Sequence, residues 1–211
     1  MSTQVEKKLG RPSDIAKKEA ILDAAASSFF NVGFAATSIE KIAADAGVSK
    51  VTIYNHFKDK SGLFAAAVGL ECEKMRGYFS LDEMPTGSIR DRLNLIGRAM
   101  VAFLSRPEMT QFERRIAAET EHEPAIGRAF LEAGPWRMMD SFTAYLAFAQ
   151  EQGELKMANP ELAGEQFVSM CKGMGDLERR FGEPMDKVAS ERRIAGAVDV
   201  FLLAYASPCH R

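Results

Sequence analysis

The sequence has few cysteines and no long hydrophobic run. Cys72, Cys171 and Cys209 are its three cysteines, and no two of them form a Cys-x-x-Cys pair. The N-terminus lacks the apolar stretch of a signal peptide, and no segment offers the roughly 18 uncharged apolar residues of a membrane-spanning helix. We therefore expect a cytoplasmic protein in a reducing compartment, with no disulfide framework and no membrane span.

Motifs for catalysis and metal binding are also missing. The chain contains no GxSxG, no phosphate-binding glycine loop and no HExxH, and its carboxylates are spread as on solvated helical faces. His56, His122 and His210 are too dispersed for a metal site, and Cys209 beside His210 is typical of a loose tail rather than of a ligand pair. We expect no enzyme activity, no metal and no cofactor.

The net charge of -2 conceals a difference between two regions. Residues 1–60 carry nine Lys and Arg against seven Asp and Glu, whereas residues 61–211 carry eighteen against twenty-two. A pI near 6.0 argues against a protein coated in basic charge. One local basic face is nevertheless enough to bind phosphates, so the charge distribution is compatible with DNA binding without demonstrating it.

Helical patterning dominates the chain. Alternating Val, Ile and Thr runs are nearly absent, whereas apolar residues recur at spacings of three and four, which predicts an all-α fold. The helix breaks coincide with prolines and glycines, because proline is tolerated only in the first turn of a helix. The predicted helices span 13–32, a short segment from Thr37 to Gly47, 49–57, 60–79, 88–105, 108–121, 124–133, 135–152, 160–181 and 186–206.

Three local signals organise the first sixty residues. The first helix has an apolar face that includes Ile15 and Phe29, and Gly33 ends it. Thr37 and Glu40 have the spacing of a capping box at the start of the second helix. Ser49 is placed to cap the third.

The segment Thr37–Lys60, TSIEKIAADAGVSKVTIYNHFKDK, has the spacing of a helix-turn-helix. A small residue, Ala43, lies where the two helices cross, and Gly47 lies at the turn. If Ile53 and Phe57 face inward, the outer face holds donors, an acceptor and methyl groups suited to base edges in a major groove. The alternative is a short polar helix whose outer face is only solvated. The outward residues are Lys50, Val51, Thr52, Tyr54, Asn55 and His56.

Residues 15–64, which include AILDAAASSFFNVGFAATSIEKIAADAGVSKVTIYNHFKDKSGLF, resemble the N-terminal domain of the TetR family of bacterial repressors. The resemblance implies a three-helix DNA-binding domain over residues 13–60, followed by a larger helical domain over residues 61–211 for effector binding and dimerisation. It also implies that Thr37, Tyr54 and Lys60 touch phosphates.

The same resemblance assigns the base contacts. It implies that Lys50, Val51, Thr52 and Asn55 face bases and that His56 contacts the backbone or a base. Val51 replaces the small residue that is familiar in the family. Its branched side chain could favour a thymine methyl or could hold the helix slightly further out, so an interaction module with a degenerate DNA face stays open as an alternative.

Residues 1–12 are predicted to be a flexible basic arm. The Gly10-Arg11-Pro12 step resembles the core of an AT-hook, in which an extended arginine enters a narrow minor groove. Arg11 is therefore a candidate DNA contact. The alternative is that Lys7, Lys8 and Arg11 add only salt-dependent affinity.

Residues 111–182, with FERRIAAETEHEPAIGRAF, GPWRMM and NPELAGEQFVSMCKGM, are similar to the C-terminal domain of AefR-like TetR regulators. The similarity implies a homodimer through residues 160–181 and 186–206, and the last helix has Ile194, Val198 and Phe201 at helical spacing. A dimer implies double-stranded DNA with a palindromic operator, and a small-molecule effector would relieve repression. An activator or a dual regulator remains an alternative.

A set of methionine, aromatic and arginine residues across the central helices predicts a pocket for a largely apolar or aromatic effector. Trp136 and Arg115 would supply a stacking surface and a cation for an acidic or phenolic compound. Taken singly, each apolar position is more typical of ordinary core, and Arg115 fits an exposed ion pair with a nearby glutamate equally well. The set is Met100, Phe103, Phe112, Arg115, Trp136, Met139, Phe142, Met170 and Met174.

Overall fold

The computed structural model describes residues 14–76 and 86–208, and within these ranges the regular structure is helical, which confirms the all-α prediction. One isolated antiparallel bridge joins Leu155 to Ala206. None of the helices in the described ranges is long and apolar enough to cross a membrane. The helices are α1 Asp14–Val32, α2 Ile39–Asp45, α3 Lys50–Phe57, α4 Lys60–Arg76, α5 Ile89–Leu104, α6 Pro107–His122, α7 Pro124–Ala133, α8 Pro135–Glu151, α9 Pro160–Arg180 and α10 Lys187–Tyr205.

Proline and side-chain caps set most of the helix starts. Helices α6, α7, α8 and α9 each have proline at the first position, where its missing N–H leaves no helical hydrogen bond unmade. Ser88 caps α5 with a capping box, and the Asp186 carboxylate accepts from two backbone amides at the start of α10. Local chemistry therefore decides where these elements begin.

The capping box predicted at Thr37 is wrong. The N-cap of α2 is Ser38, whose hydroxyl accepts from the Lys41 backbone amide at 3.1 Å, so Glu40 lies one position too early. Thr37 is 3% exposed, and its hydroxyl donates to the Gly33 carbonyl at 2.7 Å. It also lies 3.2 Å from the Ser28 hydroxyl. Both Thr37 and Ser38 can cap a helix, and the interior contacts of Thr37 decide between them.

Two clusters of buried side chains form the core. The first joins α1, α2, α3 and α4 to α6 and α7, and its centre is an aromatic group in which Phe29 stacks on Phe34 and both meet Phe64 edge-on. The second joins α5, α8, α9 and α10 around Phe167. Phe103 packs against both clusters, so the two cores are continuous at α5.

The last helix turns its predicted apolar stripe into its own protomer. Ile194, Val198 and Phe201 are at most 2% exposed and belong to the interior of the chain. A second set of apolar side chains covers the outer face, where Val188 is 80% and Leu203 is 75% exposed. The stripe that favoured a dimer from sequence therefore stabilises the protomer, and the outer set is the candidate interface.

The contrast between Phe29 and Ile15 on α1 tests the position of the core. Phe29 is fully buried, whereas Ile15, which the sequence places on the apolar face, is 72% exposed in the first turn. We expect Phe29→Ala to lower the free energy of unfolding by about 3–5 kcal/mol, because it leaves a cavity beside the Phe34 and Phe64 rings. Ile15→Ala should change it by no more than about 0.5 kcal/mol. Urea denaturation followed by circular dichroism measures both, and similar losses in the two variants would contradict this core.

Candidate nucleic-acid interface and ligand cavity

Helices α2 and α3 meet across a tight turn. Gly47 has φ +67°, a left-handed conformation that glycine adopts without strain, and the Val48 amide donates to the Ala43 carbonyl at 3.0 Å. The Ser49 hydroxyl then accepts from the Thr52 amide and caps α3. Ile53 is fully buried, which fixes the rotation of α3 about its axis.

The opposite face of α3 is open to solvent. Val51 is 66% and Tyr54 is 47% exposed, and Lys50 and Asn55 are exposed beside them. Thr52 is half-buried, with its hydroxyl 2.9 Å from that of Ser49. The helix therefore presents a cation, an amide, a phenol and an apolar branched side chain together on one short surface.

Lys50 already has a partner on this surface. Its ammonium donates to the Glu40 carboxylate at 2.9 Å, and that hydrogen bond raises the pKa of Lys50 and lowers the pKa of Glu40. Both side chains are exposed, so water and salt screen the pair. Glu40 thus competes for Lys50 with any anionic or acceptor group that approaches α3.

The remaining predicted DNA contacts differ in availability. The Thr37 hydroxyl is buried and donates to the Gly33 carbonyl, so it is not exposed to a phosphate in this arrangement, and the contact expected of it stays a prediction. Lys60 is half-buried; its ammonium donates to the Ala35 carbonyl at 3.2 Å and lies 4.6 Å from the centre of the Phe34 ring. Burial lowers the pKa of Lys60. The His56 ring nitrogen lies 3.4 Å from the Asp14 carboxylate, and Arg11 lies outside the described residues.

A cavity of about 290 Å³ lies between α4, α5, α6, α7, α8 and α9, and Phe30 of α1 also lines it. Its wall is mainly apolar, and aromatic and methionine side chains are the largest group in it. The sequence predicted five of them, and the structure brings these five together: Met100, Phe103, Phe112, Met139 and Phe142.

Four other residues assigned to this pocket lie outside its lining. Trp136, on α8, is 47% exposed. Met174 is 61% exposed and directly follows a kink in α9 at Gly173, where φ is +45°. Met170 packs against the second core cluster. Arg115 donates to the Phe30 carbonyl at 2.7 Å instead of pointing into the cavity. Helical spacing identified apolar positions but not which of them face a common space.

The charged part of the cavity wall was missed from sequence. Glu71 of α4, Glu113 of α6, and Lys172 and Arg180 of α9 all line the cavity. Lys172, Asp176 and Arg180 are four residues apart, the spacing that places charges on one side of a helix. This spacing was the feature of the sequence that could have predicted a charged side of α9.

Helix α6 connects the cavity to the end of α1. Phe112 meets Phe30 edge-on, with 4.3 Å between ring centres. One turn further along α6, Arg115 binds the Phe30 carbonyl. The Glu119 carboxylate then accepts from the backbone amides of Phe34 and Ala35, each at 3.1 Å. A single helix thus contributes to the cavity wall and holds the turn that leads into α2.

The two described cysteines have the properties of protonated thiols. Burial raises the pKa of Cys72, which lines the cavity, to about 11, and the pKa of Cys171 to about 12. Since the thiolate is the reactive form, neither environment favours a redox sensor. In residues 14–76 and 86–208 no three His, Cys, Asp or Glu side chains are grouped so that they could hold a metal ion.

A short capped helix, fixed by a buried isoleucine and held across a glycine turn from a second helix, defines a helix-turn-helix protein of the DNA-binding class. Residues 21–67 match the family model for bacterial regulatory proteins of the TetR family. Residues 91–207 match the model for the C-terminal domain of AefR-like transcriptional repressors. The chain belongs to the TetR family of transcriptional regulators, whose members are not enzymes.

Similar proteins extend over nearly the whole chain. The helix-turn-helix transcriptional regulator YhgD of Bacillus subtilis is 28% identical over 194 residues, which cover 90% of this chain and 96% of YhgD. A TetR-family regulator from Mesorhizobium loti has a TM-score of 0.76 at 28% identity, covering 93% of this chain and 100% of its own. The flavonoid-responsive regulator FrrA has a TM-score of 0.70 at 29% identity, covering 91% of this chain and 98% of the FrrA chain.

The raised pKa of Cys72 makes its alkylation dependent on pH. Because its pKa lies near 11 instead of 9.0, we expect roughly 100-fold less thiolate, and correspondingly slower iodoacetamide modification, than in the unfolded chain at pH 7.5. The rate should rise steadily as the pH increases to 10. Peptide mass spectrometry of folded and urea-unfolded protein measures it. Equal rates in the two states at pH 7.5 would contradict the burial of this thiol.

Proposed function

We propose that this chain is a transcriptional repressor that binds a palindromic operator as a homodimer and is released by a small-molecule effector. The observation that carries the proposal is the outer face of α3, whose rotation is fixed by the buried Ile53. The proposed parts are a basic arm at 1–12, a DNA-binding domain at 13–60 and an effector and dimerisation domain at 61–211. The match to an AefR-like repressor domain favours repression over activation.

On DNA, α3 would occupy the major groove. Lys50, Val51, Thr52 and Asn55 are proposed to face base edges, because they lie on or beside the exposed side of the helix. Lys50 exchanges its contact with Glu40 for a contact with DNA.

A second group of residues is proposed to bind the DNA backbone and so to fix the register of α3. The Tyr54 phenol is exposed and can donate to a phosphate. His56 and Lys60 lie near the end of α3 and the start of α4, and each would give up part of its internal contact. Arg11 would add a contact from the basic arm.

The proposed dimer uses the outer faces of α9 and α10, over residues 160–181 and 186–206. Leu162, Phe181, Val188, Val200 and Leu203 are between 49% and 83% exposed in the protomer. Such a concentration of exposed apolar side chains on two packed helices is typical of a protein interface. A two-fold dimer would place two α3 helices about 34–36 Å apart, in successive major grooves.

Effector release would act through α6. A ligand in the cavity touches Phe112, whose helix also holds the end of α1 through Arg115 and Glu119. A ligand that binds more tightly when α6 takes a different position lowers the affinity for DNA. The size of this effect is set by the ratio of the ligand's affinities for the two positions of α6. The similarity to the flavonoid-responsive FrrA supports a largely apolar or aromatic effector.

Loss of single side chains on the outer face of α3 should weaken specific DNA binding. We expect Lys50→Ala and Tyr54→Ala each to weaken binding to the selected site at least about tenfold, because a good base or phosphate contact contributes about 1–3 kcal/mol. Lys156→Ala, which removes an exposed cation after α8, is the matched control and should bind as the wild type does. The site is obtained by selecting bound fragments from random DNA at moderate salt.

The DNA selection also separates the proposal from its alternative. Recovery of one palindromic sequence supports a dimeric operator-binding protein. Failure to enrich any sequence would instead support an interaction module in which Val51 holds α3 away from the groove.

The dimer proposal is tested by one charge on α10. Leu203→Glu should convert the protein to monomers, because an isolated carboxylate would be buried in an apolar interface. Ile15→Glu introduces the same change at a 72% exposed position on α1 and should leave the dimer intact. Light scattering after size exclusion reports the mass. A dimeric Leu203→Glu protein would refute this interface.

A further inference from the structure

Two cations of the cavity wall converge on one carboxylate oxygen. The Lys172 ammonium lies 3.4 Å and the Arg180 guanidinium 3.1 Å from the same Asp176 oxygen, Oδ2. Both cations line the cavity and belong to α9, in which Lys172 directly precedes the kink at Gly173 and Arg180 follows it. Within the part of the chain that the structure describes, neither cation has an ion pair with another carboxylate, so both are paired with the single oxygen Asp176 Oδ2.

The other oxygen of Asp176 is already used. Arg179, which is 7% exposed, donates to Asp176 Oδ1 and to Glu113, each at 2.8 Å, and to the Thr110 hydroxyl at 2.7 Å. Burial by itself would raise the pKa of Asp176, but the Arg179 hydrogen bond and the charges of Lys172 and Arg180 outweigh it and lower the pKa. Asp176 is therefore ionised, and two carboxylates face three cations. The surplus is one positive charge, at Lys172 and Arg180.

The remaining polar groups of the cavity do not compensate this surplus. Glu71 accepts from Arg106 at 3.0 Å, and the Arg106 cation lies over the Phe103 ring at 4.6 Å. Cys72 is a neutral thiol, because burial raises its pKa to about 11. The rest of the wall is mainly aromatic and methionine side chains, so the cavity combines an apolar space with a cationic end.

We propose that the effector is an amphipathic organic anion, with an aromatic or aliphatic body in the cavity and an acidic group bound between Lys172 and Arg180. This inference rests on the proposed function of the cavity as the effector site. The acidic group would accept charge-assisted hydrogen bonds from both cations, which are the stronger kind where water is partly excluded. A neutral compound of equal size would lose the attraction between opposite charges that strengthens these bonds.

Three probes of one size measure the preference. They are 1-naphthylacetate, its neutral amide 1-naphthylacetamide, and the cationic 2-(1-naphthyl)ethylamine, each titrated by calorimetry into the full-length protein without DNA. We expect the acid to bind at least about tenfold more tightly than the amide, since a hydrogen bond to a charged group is worth about one such factor or more. The amine should bind most weakly.

Variants assign the preference to the two cations. Lys172→Met with Arg180→Met replaces each cation by a shorter, unbranched and neutral side chain, and we expect it to reduce acid binding to the level of the amide while leaving amide binding unchanged. Unchanged amide binding shows that the variant is folded with its cavity intact. Lys156→Met removes an exposed cation away from the cavity and should retain the tenfold preference.

The outcomes separate this inference from the proposed function. Equal binding of acid and amide, or tighter binding of the amine, would overturn the anionic class and leave the cavity as a binding site. Binding of none of the three would overturn both the cavity and the inference. Tight, charge-dependent acid binding that leaves DNA affinity unchanged would support the inference and contradict effector release.

Discussion

The contact between α6 and the end of α1 is the constraint on which the arrangement of the two parts depends. The C-terminal end of a helix leaves carbonyls without helical partners, and amides in the turn that follows also need acceptors; here α6 supplies partners for both. Arg115 binds the Phe30 carbonyl, and Glu119 binds the amides of Phe34 and Ala35. Because these bonds go to the backbone, they fix the position of the helix-turn-helix regardless of the side chains that contact DNA. Phe112 on the same helix lines the cavity, so cavity and DNA face share one support.

The fold was predictable where local chemistry decides it. Prolines mark the starts of four helices in both sequence and structure, because the ring is excluded from helix interiors whatever surrounds it. The start of α2 was not decided locally. Thr37 and Ser38 are equally good caps, and the choice follows from Ser28 and Gly33, which become neighbours of Thr37 only after α1 has folded back against the turn.

The outer face of α3 was predictable from two apolar positions one turn apart, because a helix of eight residues has only one way to bury both Ile53 and Phe57. The cavity was predictable only in part. Aromatic and methionine spacing identifies apolar faces, but the kink at Gly173 turns Met174 outward. Lys172 and Arg180 were missed, because charged residues at helical spacing are most often solvated, and only the tertiary structure places these two against a cavity.

Phe30 is 8% exposed and belongs to the core beneath the helix-turn-helix, and it also lines the cavity. Adaptation to a larger or smaller ligand at this position would therefore alter the stability of the DNA-reading part of the molecule. The methionines of α8 carry no such penalty, since Met138 and Met139 lie outside that core and their flexible side chains can reshape the wall. Changes of ligand preference during evolution should therefore accumulate on α8, while position 30 stays conserved in size.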